Sequence, residues 1–348
     1  GLAGAACAYE LTAAGRTNIL IVERCNTPGQ HGTAQNAALV RSHASNPHTA
    51  ALARQGARWW ADQNLATFTP CGSVLIGGRS GELMAGYRAQ DHRWLTAAQT
   101  YNLIGQPLPS GQKAFFNPLD GIAQPTELLD SLLQRSLQAG ARLLVDSTAE
   151  LKAEQLLING KIQPYEALTV AAGAWSRSLL NLPVQAFARH LFLDTKLDQR
   201  SMPWVWDLDE ELYWRNHPDG LLLSACDERV VHDPDPKAWP PICSDENNQL
   251  QTKLERSWPG LLPLAITQQW SGLRVLTPDD GFVLGRDPRH KNIYWCSALG
   301  GHGVTCSVPA AQLAMHELTD RPLSDEQKRL VQAHSAARFA TLAETWHS

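Results

Sequence analysis

Two glycines and one acid carry the first chemistry in this chain. Gly1-Leu2-Ala3-Gly4 opens a small-residue helix that continues through Cys7-Ala8-Tyr9-Glu10-Leu11 and stops at Gly15. A hydrophobic strand, Asn18-Ile19-Leu20-Ile21-Val22, follows and ends in Glu23-Arg24. This is the second half of G-x-G-x-x-G with its acidic partner, so Gly1 and Gly4 stand as the second and third glycines. The first glycine and the strand before it are expected upstream of residue 1. A glycine at position 1 lets the backbone approach a pyrophosphate, and one at position 4 lets helix and strand pack closely. The helix N-terminus offers free N–H groups and partial positive charge to the phosphates, and Glu23 would accept from ribose hydroxyls. A ligand-free helix–strand turn is the competing reading of this stretch alone.

Two further strand ends are built from small residues. Leu168-Thr169-Val170 runs into Ala171-Ala172-Gly173-Ala174-Trp175, where side chains would block close approach of a ligand or another backbone. Near the end, Ser297-Ala298-Leu299 leads into Gly300-Gly301-His302-Gly303-Val304-Thr305, from a strand into a helix. Glycines there allow backbone amides to face a ligand, and the helix aims its positive end at the same point. A flavin suits that site, because reduction puts negative charge on the N1/C2=O edge of the ring. Each stretch taken alone is also readable as a tight turn.

The elements that must position these residues alternate between helix and strand. A helix is expected over about His48–Gln63, and an amphipathic one opens at Pro125, with leucines 128, 129, 132, 133 and 137 on one apolar face. Short strands are expected at 142–145, 150–158, 167–171, 211–214, 221–224 and 292–298, and a last helix from about Val308 to Leu318. The fold class is therefore mixed α/β: a Rossmann-like nucleotide-binding domain (1–75, 125–185 and 271–348) with an inserted antiparallel-sheet substrate domain (76–124 and 186–270). At 348 residues the chain is long enough for both. A net charge of −4 with 18% charged residues argues against nucleic acid as a partner. No apolar run reaches the ~18–20 residues of a membrane helix, and seven cysteines (7, 25, 71, 226, 243, 296 and 306) without metal-ligand spacing read as reduced thiols of a cytoplasmic protein.

Taken in order, the half fingerprint, the Ala172-Gly173-Ala174-Trp175 strand end and the Gly300-Gly301-His302-Gly303 loop give the chain its likeness. It resembles the FAD-dependent D-amino acid oxidase superfamily, which includes glycine and sarcosine oxidases. Arg189-His190-Leu191-Phe192, Asp207 to Trp214, Leu221 to Ser224 and Trp270-Ser271-Gly272-Leu273-Arg274 resemble the bacterial D-arginine dehydrogenase-like branch. The resemblance implies that FAD meets Gly1, Ala3 and Gly4 at its pyrophosphate and Glu23 and Arg24 at its adenosine end. It implies that Thr33-Ala34-Gln35-Asn36 wrap the phosphates and the inner edge of the flavin. Relatives often carry Gly-Arg where this chain has Ala34-Gln35, so a flexible residue and a cation are missing. Ala172, Gly173 and Trp175 would lie along the cofactor, and Gly300 to Thr305 would meet the isoalloxazine.

Arg274 matches the carboxylate-binding arginine of the superfamily, and a guanidinium presents a planar fork to a carboxylate. Tyr213 would bond the same carboxylate or else fill the core, and His302 would sit over the flavin or merely fill the loop. Arg41 and His43 follow the flavin loop and are expected mainly in solvent. Thr277 to Gly281 reads as a structural turn, and Gly272 to Leu276 holds no cysteine for a covalent flavin link. The activity implied is oxidation of the C–N bond of an amino acid or related amine to an imine, with hydride passing to flavin N5 and oxygen or a quinone as final acceptor. A glycine- or sarcosine-type oxidase and a flavin-poor binding or assembly subunit are the alternatives, and a nicotinamide-only dehydrogenase would leave the Gly300–Gly303 loop without a ligand.

Overall fold

The computed structural model describes residues 1–78, 92–152, 154–197, 201–235, 237–238, 240–242 and 244–339. Residues 79–91 of the expected substrate domain, and Cys243, lie outside the described residues. The helices are α1 (Leu2–Ala13), α2 (Pro47–Asp62), α3 (Ala97–Ile104), α4 (Pro125–Gln138), α5 (Ser176–Leu180), α6 (Ser244–Ser257), α7 (Gly303–Ala314) and α8 (Asp325–His334).

Small residues let α1 sit in the middle of the first body. Ala5, Ala6, Cys7 and Ala8 are buried, and the helix packs on α4, on α7 and on strands Leu20–Val22, Leu168–Val170 and Ile293–Ser297. The α4 leucines 128, 129, 132 and 133 join this core, whereas Leu137, expected on the same face, is 40% exposed in the last turn. Asn46 caps α2 by accepting from the His48 and Thr49 amides, and Pro47 sits at the first helical position, where its missing N–H costs nothing.

Two short sheets flank α1. Leu20–Val22 pairs in parallel with Arg142–Leu144, while Leu168–Val170 pairs in parallel with Ile293–Trp295, which in turn pairs with Val283–Arg286. Among the described residues each of the two inner strands is paired on one edge only. Both edges line one trough over α1.

The final helix starts five residues earlier than expected, at Gly303 instead of Val308. It therefore rises directly from the glycine loop, with Pro309 inside it. Pro309 has no N–H for the Thr305 carbonyl one turn back, and α2 packs against that carbonyl through Gly56: a Cβ there would lie 2.2 Å from Thr305 O.

A nine-stranded, largely antiparallel sheet forms the second layer. Its period-2 alternation sorts side chains to two faces. Val205, Leu212, Trp214, Leu221 and Leu223 turn toward Leu250 and Leu254 of α6. Leu191, Leu193, Tyr213 and Leu222 face the other way, with Trp206 and Trp270 beside them. That second face looks onto the body built around α1.

Candidate active site

A cavity of about 1220 Å³ runs between the two layers. It exceeds the roughly 300–1,000 Å³ usual for a small-molecule site, because it takes in the trough between the edges of Leu20–Val22 and Leu168–Val170 left unpaired among the described residues. At one end stand the N-terminus of α1 and the carboxyl end of strand Leu20–Val22. Gly1, Ala3, Gly4, Glu23 and Arg24 all reach the wall. The Leu2 amide donates to Thr33 Oγ1 at 2.9 Å, tying the following loop to the helix start. Glu23 accepts from the Cys25 amide at 3.1 Å, and the Gly1 nitrogen lies 3.3 Å from its Oε2. The Arg24 guanidinium stacks 5.0 Å above Trp175, whose other neighbour is the His31 ring at 4.5 Å.

The loop from His31 to Ala38 is held by its own backbone. Asn36 Nδ2 donates to the carbonyls of Gly32 and Thr33, and its Oδ1 accepts from the Ala38 amide. Thr33, Gln35 and Asn36 reach the cavity, whereas Ala34 is not on its wall. Strand Ile266–Leu276 crosses so close that a Cβ on Gly272 would stand 1.9 Å from Gln35 O. Ala172, Gly173 and Trp175 line the far wall in a 3-10 turn, with Gly173 at φ +54°.

At the opposite end the sheet register assembles an anion site. Strand Gln185–Asp194 runs antiparallel to Ile266–Leu276, with Arg189 opposite Gly272 and Phe187 opposite Arg274. Arg189 and Arg274 are therefore diagonal neighbours on the cavity face, with the bare Gly272 between them. Arg189 is buried; its Nη2 donates to Glu228 Oε1 at 2.7 Å, while its Nε and Nη1 have no hydrogen-bond partner. Arg274 Nη1 lies 3.9 Å from the same Glu228 oxygen. Burial and then the charge of Arg189 hold the Arg274 pKa below its ordinary value. Tyr213 and Trp206 complete this wall, their rings edge to face at 6.0 Å.

The glycine loop presses on the same group. Gly300 and Gly301 have φ of +50° and +76°, a region that other residues enter at a cost. A Cβ on Gly301 would come within 3.1 Å of Arg274 Cζ and Nε. Gly300, Gly301, Gly303 and Val304 are on the cavity wall, whereas His302 and Thr305 are not.

His302 is not placed over the cavity as the sequence suggested. Its Nε2 lies 3.1 Å from the His43 carbonyl, which can only accept, so Nε2 carries the proton and Nδ1 accepts from Arg41 Nη2 at 3.1 Å. Both nitrogens are used. Burial and the adjacent Arg41 push its pKa well down, so the ring is neutral. Arg41 and His43, expected in solvent, are both buried. Strand Leu39–Val40 carries them under the large sheet, where the Arg41 guanidinium lies 5.1 Å over Trp206. Burial, then Arg274 and Arg189, lower the Arg41 pKa to about 9. Behind them Asp120 accepts from the Ser42 amide, Ser42 Oγ and Ser73 Oγ and lies 3.7 Å from His43 Nδ1. Thr305 Oγ1 accepts from the Arg41 amide at 3.0 Å.

The family model described as FAD dependent oxidoreductase (DAO) matches residues 1–316. The chain belongs to this family. The 4-methylaminobutanoate oxidase (formaldehyde-forming) of Paenarthrobacter nicotinovorans is 22% identical over 338 residues, covering 87% of this chain; the chain spans only 41% of that relative. Among solved structures, L-proline dehydrogenase from P. horikoshii superposes with a TM-score of 0.82 at 16% identity, covering 98% of this chain and 96% of that one. Iminodiacetate oxidase from Chelativorans sp. BNC1 gives 0.74 at 21% identity, covering 95% and 96%.

The residues of this DAO-family chain fit the cofactor the family uses. Glycines 1, 4 and 173 line the cavity, and α1 and α7 both open their N-termini onto it. Sequence reasoning did not single out Arg189 or Trp206 as site residues and expected Arg41 in solvent. Strand alternation offered a signal for Arg189, since Leu191 and Leu193 share its face. For Arg41 the signal was its place just after the flavin loop, but only the packing of a two-residue strand buries it.

Proposed function

We infer that this chain binds FAD along the cavity and oxidises the C–N bond of an amino-acid-like amine. Residues 1–75, 125–185 and 271–348 form the cofactor-binding part in this reading, and 76–124 with 186–270 supply the substrate wall. The observation that carries it is Arg189: a buried guanidinium with two unpartnered nitrogens, set diagonally to Arg274 on the cavity face. Leaving buried donors unpaired is costly, and a substrate carboxylate satisfies them.

FAD, when bound, supplies the two-electron acceptor for the amine. Arg274 and Arg189 hold the carboxylate through planar forks, and Tyr213 closes the wall beside it. Fixing the carboxylate at two points orients the Cα–H bond, and positioning of this kind contributes much of the rate in such sites. Trp206 and Leu191 keep water from that wall. His302 acts through Arg41, since neither of its nitrogens is free to take a proton. The imine leaves the site to be hydrolysed by water to an oxo compound and the amine fragment. Oxygen or a quinone then serves as final acceptor.

The test is an anaerobic visible spectrum of the chain supplied with FAD, titrated with D- and L-amino acids, glycine and sarcosine. A flavin band that bleaches with one class supports the reading. A protein that takes up no FAD overturns it and favours a binding or assembly subunit. Oxygen consumption separates oxidase from dehydrogenase.

A further inference from the structure

The substrate end of the cavity carries more positive charge than one carboxylate can answer. Arg41, Arg189 and Arg274 all reach the wall. Glu228 faces two of them, at 2.7 Å from Arg189 and 3.9 Å from Arg274. Of the other acids nearby, Asp227 accepts from the His190 amide, lies against its ring and also acts by its charge on Arg189, while Asp120 accepts from Ser42 and Ser73. No carboxylate pairs with Arg41 among the described residues; its guanidinium meets only the acceptor nitrogen of His302 and the face of Trp206.

Among the described residues the three cations face two carboxylates, Glu228 and Asp227, both beside Arg189, so the charge of Arg41 is left unanswered in a largely desolvated space. Such a charge is sustained only where a ligand brings opposite charge. The cations come from different elements. Arg189 and Arg274 sit together on the paired strands, whereas Arg41 follows strand Leu39–Val40 and is held by His302, the residue after the Gly301 that abuts Arg274. Trp206, under the Arg41 guanidinium, and Tyr213 line the same cavity and offer an apolar surface to a short carbon chain. His302 fixes Arg41 in that position as a neutral acceptor, so it takes none of the charge away. The lowered pKa of Arg41, to which Arg274 and Arg189 contribute after burial, agrees with this crowding.

We propose that the substrate is a dianion, a dicarboxylic amino acid or amine, with one carboxylate on Arg189 and Arg274 and the second on Arg41. This names the substrate class of the amine oxidation inferred above and rests on that reading. Arg41 is then the residue that selects the second acid.

The test is calorimetric binding of non-oxidisable acids at constant ionic strength: succinate and glutarate against propionate and butyrate. It is run on the full chain after FAD, with flavin content measured separately. A charge-assisted fork contributes enough for about a 10- to 100-fold preference for the dicarboxylate. Arg41→Gln should reduce that preference to within about threefold, and Arg41→Lys, which keeps the charge but loses the fork, should retain part of it. Equal affinities for mono- and dicarboxylates in the unsubstituted protein overturn the proposal, with no variant needed. So does an Arg41→Gln protein that keeps the preference, or one that alters only the flavin spectrum. Absence of flavin uptake counts against the redox reading, while the acid affinities still decide whether the pocket selects a dianion.

Discussion

Replacing Gly301 by alanine separates backbone strain from the placement of Arg274. At φ +76° an alanine pays the left-handed penalty of about 1–2 kcal/mol. It also places a Cβ 3.1 Å from Arg274 Cζ and Nε, inside the ordinary contact range of 3.4–4 Å. The guanidinium must retreat by a few tenths of an ångström. A 1 Å misplacement in such a site costs about 10²-fold in rate, so roughly tenfold in kcat/KM is expected here, near 1.4 kcal/mol. Gly285 is the matched control, with φ +83° and nothing within 4 Å of an added Cβ. Both variants should lose roughly 2–6 °C in Tm. Only Gly301→Ala should weaken turnover of an amine carboxylate, measured as anaerobic flavin bleaching. If the two variants lower kcat/KM equally, or neither does, contact with Arg274 is not what the loop controls.

Lysine at 189 or at 274 keeps the charge but loses the fork, so either change should lower kcat/KM by about 10- to 100-fold with KM rising most; a steady-state titration against substrate checks it. Thr33→Ala removes the acceptor of the Leu2 amide and should weaken FAD binding by roughly five- to tenfold, about 1 kcal/mol. Thr33→Ser should restore it, as flavin-quench titration would show. Burial, then Arg338, lowers the His334 pKa to about 4, and its Nδ1 accepts from the Phe282 amide at 3.1 Å. The folded state thus refuses a proton that the unfolded chain takes up near pH 6.5. Stability from this group is complete above that pH and is lost as pH falls from about 6.5 to 4, by roughly 2–3 kcal/mol. His334→Gln should flatten that part of the curve in denaturant melts at pH 7 and 4.5. An unchanged slope would refute it.

Local residue types carried the nucleotide half of this protein. The spacing of Gly1, Gly4 and Glu23 and the apolar period of α4 are consequences of neighbours in sequence, so the helix–strand unit and its cavity-lining residues were legible before any fold was known. The glycine loop at 300–303 was legible for the same reason, because consecutive positive-φ positions such as 300 and 301 favour glycine. The family resemblance also named Tyr213 as a carboxylate partner, although nothing in the sequence says what the face of its strand looks upon.

The tertiary structure decided the charges. Arg189 and Arg274 lie 85 positions apart and become neighbours only through the ladder register that sets Arg189 against Gly272. Arg41 and His302 meet across more than half the chain. Their proximity makes the histidine a neutral acceptor instead of a base, because the His43 carbonyl and Arg41 claim both of its nitrogens. Electrostatics in a desolvated cavity depends on distance and burial, and a sequence prints neither. The residue types fixed what each group can do, and the packing of two sheets fixed which groups share one site.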